Sequence, residues 1–249
     1  MQSSGKSHVG KVRTQNQDAI LISEVGPAPL PNLFIAADGL GGHSSGDIAS
    51  NRAMAAFCAF FENAGHAESL EDLLAGALAF ANLQVHEDSL NNQEHQGMGT
   101  TFTACSIHKK MIHYVHVGDS RIYLVKNDAE NSLQLVQLTK DHFSLTADMV
   151  AAGLLTEEEA KGYPEAVLTR AIGTDSDVKI DKGAASLEGV VYILLCTDGL
   201  TNMIDDNEIA NIIKSTKSLD EAAETLVNAA LDAGGRDNIS VILIGWGEE

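Results

Sequence analysis

Three cysteines in 249 residues, Cys58, Cys105 and Cys196, are too few and too odd in number for a disulfide scaffold. No CxxC pair occurs, and each lies in an apolar run, where a free thiol behaves as a small hydrophobe. A reducing, cytoplasmic setting is the simplest account. No apolar stretch approaches the ~20 residues that cross a bilayer. The N-terminus, MQSSGKSHVGKVRTQNQD, lacks the apolar centre of a signal peptide. Basic residues are also scarce: 16 Lys and Arg stand against 35 Asp and Glu, a net charge of -19. Phosphates would be repelled, so neither nucleic acid nor an anionic membrane is expected as a partner. The same charge suits a protein that attracts cations, and equally a merely soluble acidic one. HExxH and GxSxG are missing, which removes the usual zinc-hydrolase and serine-hydrolase signatures. His113 and His116 are an odd number apart on a predicted strand and point to opposite faces. SSGKS at residues 3–7 resembles the tail of a phosphate-binding loop, but only four residues precede Gly5, so the match is chance.

What is present is apolar sequence, 44% of the chain, enough for a substantial core. Repeats, low-complexity tracts and convincing linkers are absent, so residues 1–249 are expected to form a single domain. Strands are predicted at residues 19–25 and 32–38, separated by a Pro-rich loop. A helix follows Asp38, with Ser44 and Asp47 at capping-box spacing and Ala49, Ala53, Ala56, Phe57 and Phe60 on one face. A second helix is predicted over about 68–90. Strands at 99–107, 110–117, 121–127 and 133–139 are closely spaced and suggest an antiparallel meander. Residues 142–165 read as polar and helical, with Thr156 and Glu159 as a cap pair. A strand at 190–197, two helices capped by Asp205 with Glu208 and Ser218 with Glu221, and a strand at 237–246 complete the chain. Regular βαβ alternation is absent, so an α+β fold is expected: two antiparallel β-sheets packed face to face, with helices outside.

Two of the apolar runs end in Asp-Gly, at Asp38-Gly39 and Asp198-Gly199. A single such pair is most simply a turn. Two at the ends of long apolar strands are less ordinary, because a core strand gains nothing from a terminal carboxylate unless its charge is satisfied. Asp18, Asp119 and Asp237 also flank predicted strands. Clustered without a counterion, the five would raise one another's pKa, and an all-oxygen set of this kind suits Mg²⁺ or Mn²⁺ better than zinc. Surface acids at strand ends are the bland alternative, and spacing alone does not show convergence.

The segments GKVRTQNQDA (10–19), AADGLGGH (36–43), GMGTTFTA (97–104), VGDSRIY (117–123), LTKDH (138–142), LTRAIG (168–173), LLCTDGLTNM (194–203) and GGRDNISVILI (234–244) together resemble the metal-dependent protein phosphatases, the PPM or type 2C family, in its bacterial form. The resemblance implies a four-layer αββα sandwich and hydrolysis of phosphoserine and phosphothreonine on proteins. It implies two Mn²⁺ or Mg²⁺ ions. Asp38 would bridge them, Asp198 and Asp237 would complete one site, and Asp18 with the Gly39 carbonyl would hold the other. Asp119, with Asp198, resembles a third, weaker site. Arg13 matches the arginine that grips the substrate phosphate, and His43 is a candidate proton donor to the leaving group. Phosphorylated proteins and a cognate Ser/Thr kinase are the partners implied, and nothing demands more than a monomer. The departures fall in the flap segment, about 142–168: Phe143 stands where a serine is common, and GYPEAV where His-Pro and an asparagine are common. NQD replaces the commoner Asn-Glu-Asp, with Asp18 kept. A pseudophosphatase that binds phosphoproteins without cleaving them is the rival; the intact acids and Arg13 count against it.

Overall fold

Strands whose two faces are both covered need no polar alternation. On β3 (Leu33–Leu40), Leu33, Ile35 and Ala37 enter one buried cluster, while Phe34 and Ala36 enter another. On β13 (Ile239–Gly245), Ile239, Val241 and Leu243 face one way and Ile242 and Ile244 the other. The computed structural model describes residues 1–41, 45–63, 67–128, 132–160 and 166–246.

One sheet runs β1 (Gln2–His8), β13, β12 (Val190–Cys196), β7 (Arg121–Asn127), β8 (Leu133–Gln137). The other runs β11 (Asp181–Ser186), β6 (Met111–Val117), β5 (Phe102–His108), β3, β2 (Asp18–Ser23), with β4 (Gly99–Thr100) paired to β3. Every strand pair among the described residues is antiparallel. α1 (Ser45–Phe60) and α2 (Leu70–Asn91) cover the second sheet; Ala49, Ala53 and Phe57 and the stripe from Leu73 to Val85 are buried on it. α6 (Asp206–Ser215) and α7 (Leu219–Asp232) cover the first. Three apolar layers result, and each fully buried Leu, Ile or Phe in them contributes on the order of 1.5–3 kcal/mol. The expected four-layer α+β sandwich is what the chain forms. No helix among the described residues is long and apolar enough to cross a membrane.

The predicted caps form: the Glu208 N–H donates to Asp205, the Glu221 N–H to Ser218, and Thr156 and Glu159 bond reciprocally. Ser44 lies outside the described residues.

Three expectations need correction. The middle strands are no single meander: β5–β6 and β7–β8 are hairpins in different sheets, and Gly118–Ser120 carries the chain between them. Periodicity marks a strand but not its partner. The segment from 142 is not simply helical; β9 (Phe143–Leu145) and β10 (Ala166–Leu168) form a small ribbon around α3 (Thr146–Ala151) and α4 (Glu157–Ala160). In the two main sheets two further strands had no signal, β1 and β11. Both are sheet edges, rich in Ser, Lys, Gly and Ala, where polar composition is tolerated and guards against further pairing.

Candidate active site

Antiparallel pairing brings the end of β3 to the start of β2, so Asp38 and Asp18 are register partners. It likewise brings the end of β12 to the start of β13, where the Thr197 N–H donates to the Ser240 carbonyl. Asp198 opens the single-turn α5 (Asp198–Thr201), and Asp237 lies just before β13. Asp119 sits in the crossing between sheets. The five acids therefore gather at one end of the sandwich, and each of Asp18, Asp198, Asp237 and Asp119 acts electrostatically on Asp38.

Their environment disfavours charge. Burial pushes the Asp18 carboxyl up to about 7, with Asp198 and Asp237 adding repulsion against hydrogen bonds from Ser240 and Thr197. Asp38 is raised well above the carboxylate range, by burial first and then by the four other acids. Burial, then Asp198 and Asp141, lift Asp119 to about 7. Asp198 is raised by burial and by Asp237; a hydrogen bond with the Asp38 carboxyl and the Arg13 charge oppose this. Among the described residues three buried side-chain polar atoms have no hydrogen-bond partner, and two of them are Asp18 Oδ1 and Asp198 Oδ1. Unpartnered, mutually repelling carboxylate oxygens are the donor set that a hard divalent cation satisfies. No group of three or more His, Cys, Asp or Glu among the described residues is set out as a ready-made cage for one ion.

The backbone holds this arrangement tightly. A Cβ on Gly39 would lie 2.0 Å from the Gly46 carbonyl oxygen, and one on Gly199 1.8 Å from that of Asn238. Each Asp-Gly pair thus needs glycine for close backbone approach, not merely for a turn. Arg13 Nη2 donates to Asp237 Oδ2 at 2.8 Å, and its side chain is 53% exposed. His43 lies outside the described residues.

Several organising residues carried no role in the sequence reading. Thr197 Oγ1 and Ser240 Oγ donate to Asp18 Oδ2 at 2.9 and 2.7 Å, joining the two sheets across the cluster. Thr101 Oγ1 accepts from the Asp38 N–H at 2.9 Å, and Thr100 Oγ1 donates to the Asp38 carbonyl at 2.9 Å. Asn238 ties the Arg13 segment to β13 through bonds with Val9, Gln15 and Gln17. His142 Nδ1 accepts from the Gly118 N–H, and the His142 N–H donates to the Gly118 carbonyl, holding the loop that ends in Asp119. All of these but Val9 lie inside the eight motifs; the direction of their side chains is a tertiary property. Cys196 is packing, as expected: burial raises its thiol to about 12.

A family profile described as Protein phosphatase 2C matches residues 4–234. Protein phosphatase PhpP of Streptococcus pneumoniae is 37% identical over 246 residues, covering 97% of this chain and 96% of that protein. Serine/threonine phosphatase Stp1 from Staphylococcus aureus superposes with a TM-score of 0.83 at 30% identity, covering 99% of this chain and 95% of that one. The catalytic domain of serine threonine protein phosphatase PstP, solved in complex with two manganese ions, superposes with a TM-score of 0.73 at 28% identity, over 97% and 96% of the two chains. The chain belongs to the protein phosphatase 2C family.

Proposed function

We propose that this chain is a metal-dependent serine/threonine protein phosphatase, acting as one catalytic unit on phosphorylated proteins in the cytoplasm and opposing a Ser/Thr kinase. The observation that carries the reading is the convergence of five acids from distant segments at one sandwich end, two with buried unpartnered oxygens. Names of relatives and the manganese-bound PstP domain support it.

In this reading Asp38, Asp198, Asp237, Asp18 and the Gly39 carbonyl would hold two Mn²⁺ or Mg²⁺ ions, and Asp119 with Asp198 would hold a third. Bound ions would offset the repulsion and supply an ionised water at neutral pH. The protein's own part is positioning. Thr197 and Ser240 lock one Asp18 oxygen and leave the other free. Thr100 and Thr101 fix the Asp38 backbone. Arg13, one N–H on Asp237 and the rest of its fork exposed, takes two oxygens of the phosphate and neutralises charge as it develops. Direct attack by water requires no covalent nucleophile, which agrees with the lack of a GxSxG elbow.

Hydrolysis of p-nitrophenyl phosphate and of a phosphothreonine peptide, with Mn²⁺ or with EDTA, tests this. Turnover of both in Mn²⁺ alone is the expected result. A folded, Mn²⁺-binding protein that hydrolyses neither would be a phosphoprotein-binding module instead.

A further inference from the structure

We propose that the groove beside the carboxylate cluster is a specificity subsite for a large apolar side chain next to the phosphorylated residue of the substrate; this rests on the phosphatase reading above. A groove of about 360 Å³ is lined at one end by Asp119 and Asp198, so it is continuous with the site itself. That volume lies at the small end of the ~300–1,000 Å³ range of ligand pockets and suits a side chain better than a cofactor.

Arg121, Asp141, Thr201 and Asn202 give it polar lining, and one wall is apolar for a reason visible in the register. Phe143 pairs with Leu168 across the β9–β10 ribbon, and Leu145 is two residues from Phe143, so all three share one face. That face lines the groove. Phe143 is 41% and Leu145 42% exposed, costly surface for a ribbon to leave to water unless something covers it. The cation that could have greeted an acidic neighbour is already engaged. Arg121 donates three bonds of 2.7–3.1 Å to Asp141, and a fourth to Tyr123 Oη. Gln137 donates a further bond to Asp141. The groove thus offers an apolar wall and an Arg121–Asp141 pair whose charges offset each other, and it opens at its inner end on the proposed metal site. An aliphatic or aromatic neighbour to the phosphoresidue gains contact with Phe143, Leu145 and Leu168 there, and an acidic one gains none.

The test is kcat/KM in Mn²⁺ for phosphothreonine peptides carrying Leu, Phe, Ala or Asp at each flanking position in turn. The expected result is one position, on one side, where Leu and Phe exceed Asp by about tenfold. In the double variant F143S/L145S that ratio should fall below about twofold; being internal, the ratio is insensitive to any general loss. A flat wild-type profile, a preference for Asp, or a ratio unchanged in the double variant would each overturn the subsite. Wild-type turnover of p-nitrophenyl phosphate alongside such a result leaves the phosphatase reading standing. Absence of all turnover removes both.

Discussion

Replacing Asp18 with asparagine should make the metal-free protein more stable at neutral pH. The folded-state carboxyl sits at about 7 against an ordinary value of 3.8, raised by burial and by Asp198 and Asp237. Because the folded value is the higher one, the stabilising contribution of the protonated group is fully present below 3.8 and is lost as pH rises to about 7. Each unit of that window costs about 1.4 kcal/mol, so the ceiling is on the order of 4 kcal/mol. Relaxation and water entry reduce this to about 2 kcal/mol. In a protein of this size that is a shift of roughly 4–8 °C in Tm. The introduced amide would keep an oxygen to accept from Thr197 and Ser240 while carrying no charge. The assay is differential scanning calorimetry in EDTA at several pH values from about 4.5 to about 8, spanning the window that linkage sets. The Tm of Asp18→Asn minus that of the wild type should climb with pH over this interval. Mn²⁺ should then raise the wild type by about 2.7 kcal/mol at a hundredfold excess over Kd, and the variant by less. A difference that is flat or falls with rising pH would refute the claim that Asp18 is held in a repelling, buried cluster.

Asp38→Asn and Asp198→Asn should each lower turnover at least about a hundredfold with the circular dichroism spectrum unchanged; a folded, active variant would remove that residue from the metal set. Arg13→Ala should mainly raise KM for phosphopeptides, and lose no more than about 1 kcal/mol of stability, since the pair with Asp237 is exposed. KM and kcat both unchanged would take Arg13 out of the site. Lys110→Gly addresses the β5–β6 turn, where Lys109 and Lys110 hold φ of 48° and 60°. Relief of the left-handed conformation should stabilise by about 1 kcal/mol, and an unchanged or lower Tm would contradict it.

The sequence carried most of the layer order because strands buried on both faces must be continuously apolar and the helices lie one stripe inward. Ala49, Ala53 and Phe57 or Ile239, Val241 and Leu243 could be read as core with no partner known. The edge strands β1 and β11 could not, since an edge asks little of its side chains. Nor could the split of the middle strands between two sheets, which is a matter of partner choice across Gly118–Ser120. The same division holds at the site. Asp38 and Asp198 stood out in the sequence because a carboxylate ending an apolar run is costly unless it is used, whereas Asp18, Asp119 and Asp237 stood out only as acids flanking strands and Arg13 only through the family resemblance. The fold set where the five acids meet, because antiparallel pairing and sheet stacking bring strand ends from opposite parts of the chain to one place. It also decided that Thr197 and Ser240 point at Asp18, and that Arg121 is engaged by Asp141 rather than left for substrate, since the direction of a polar side chain depends on what packs opposite it.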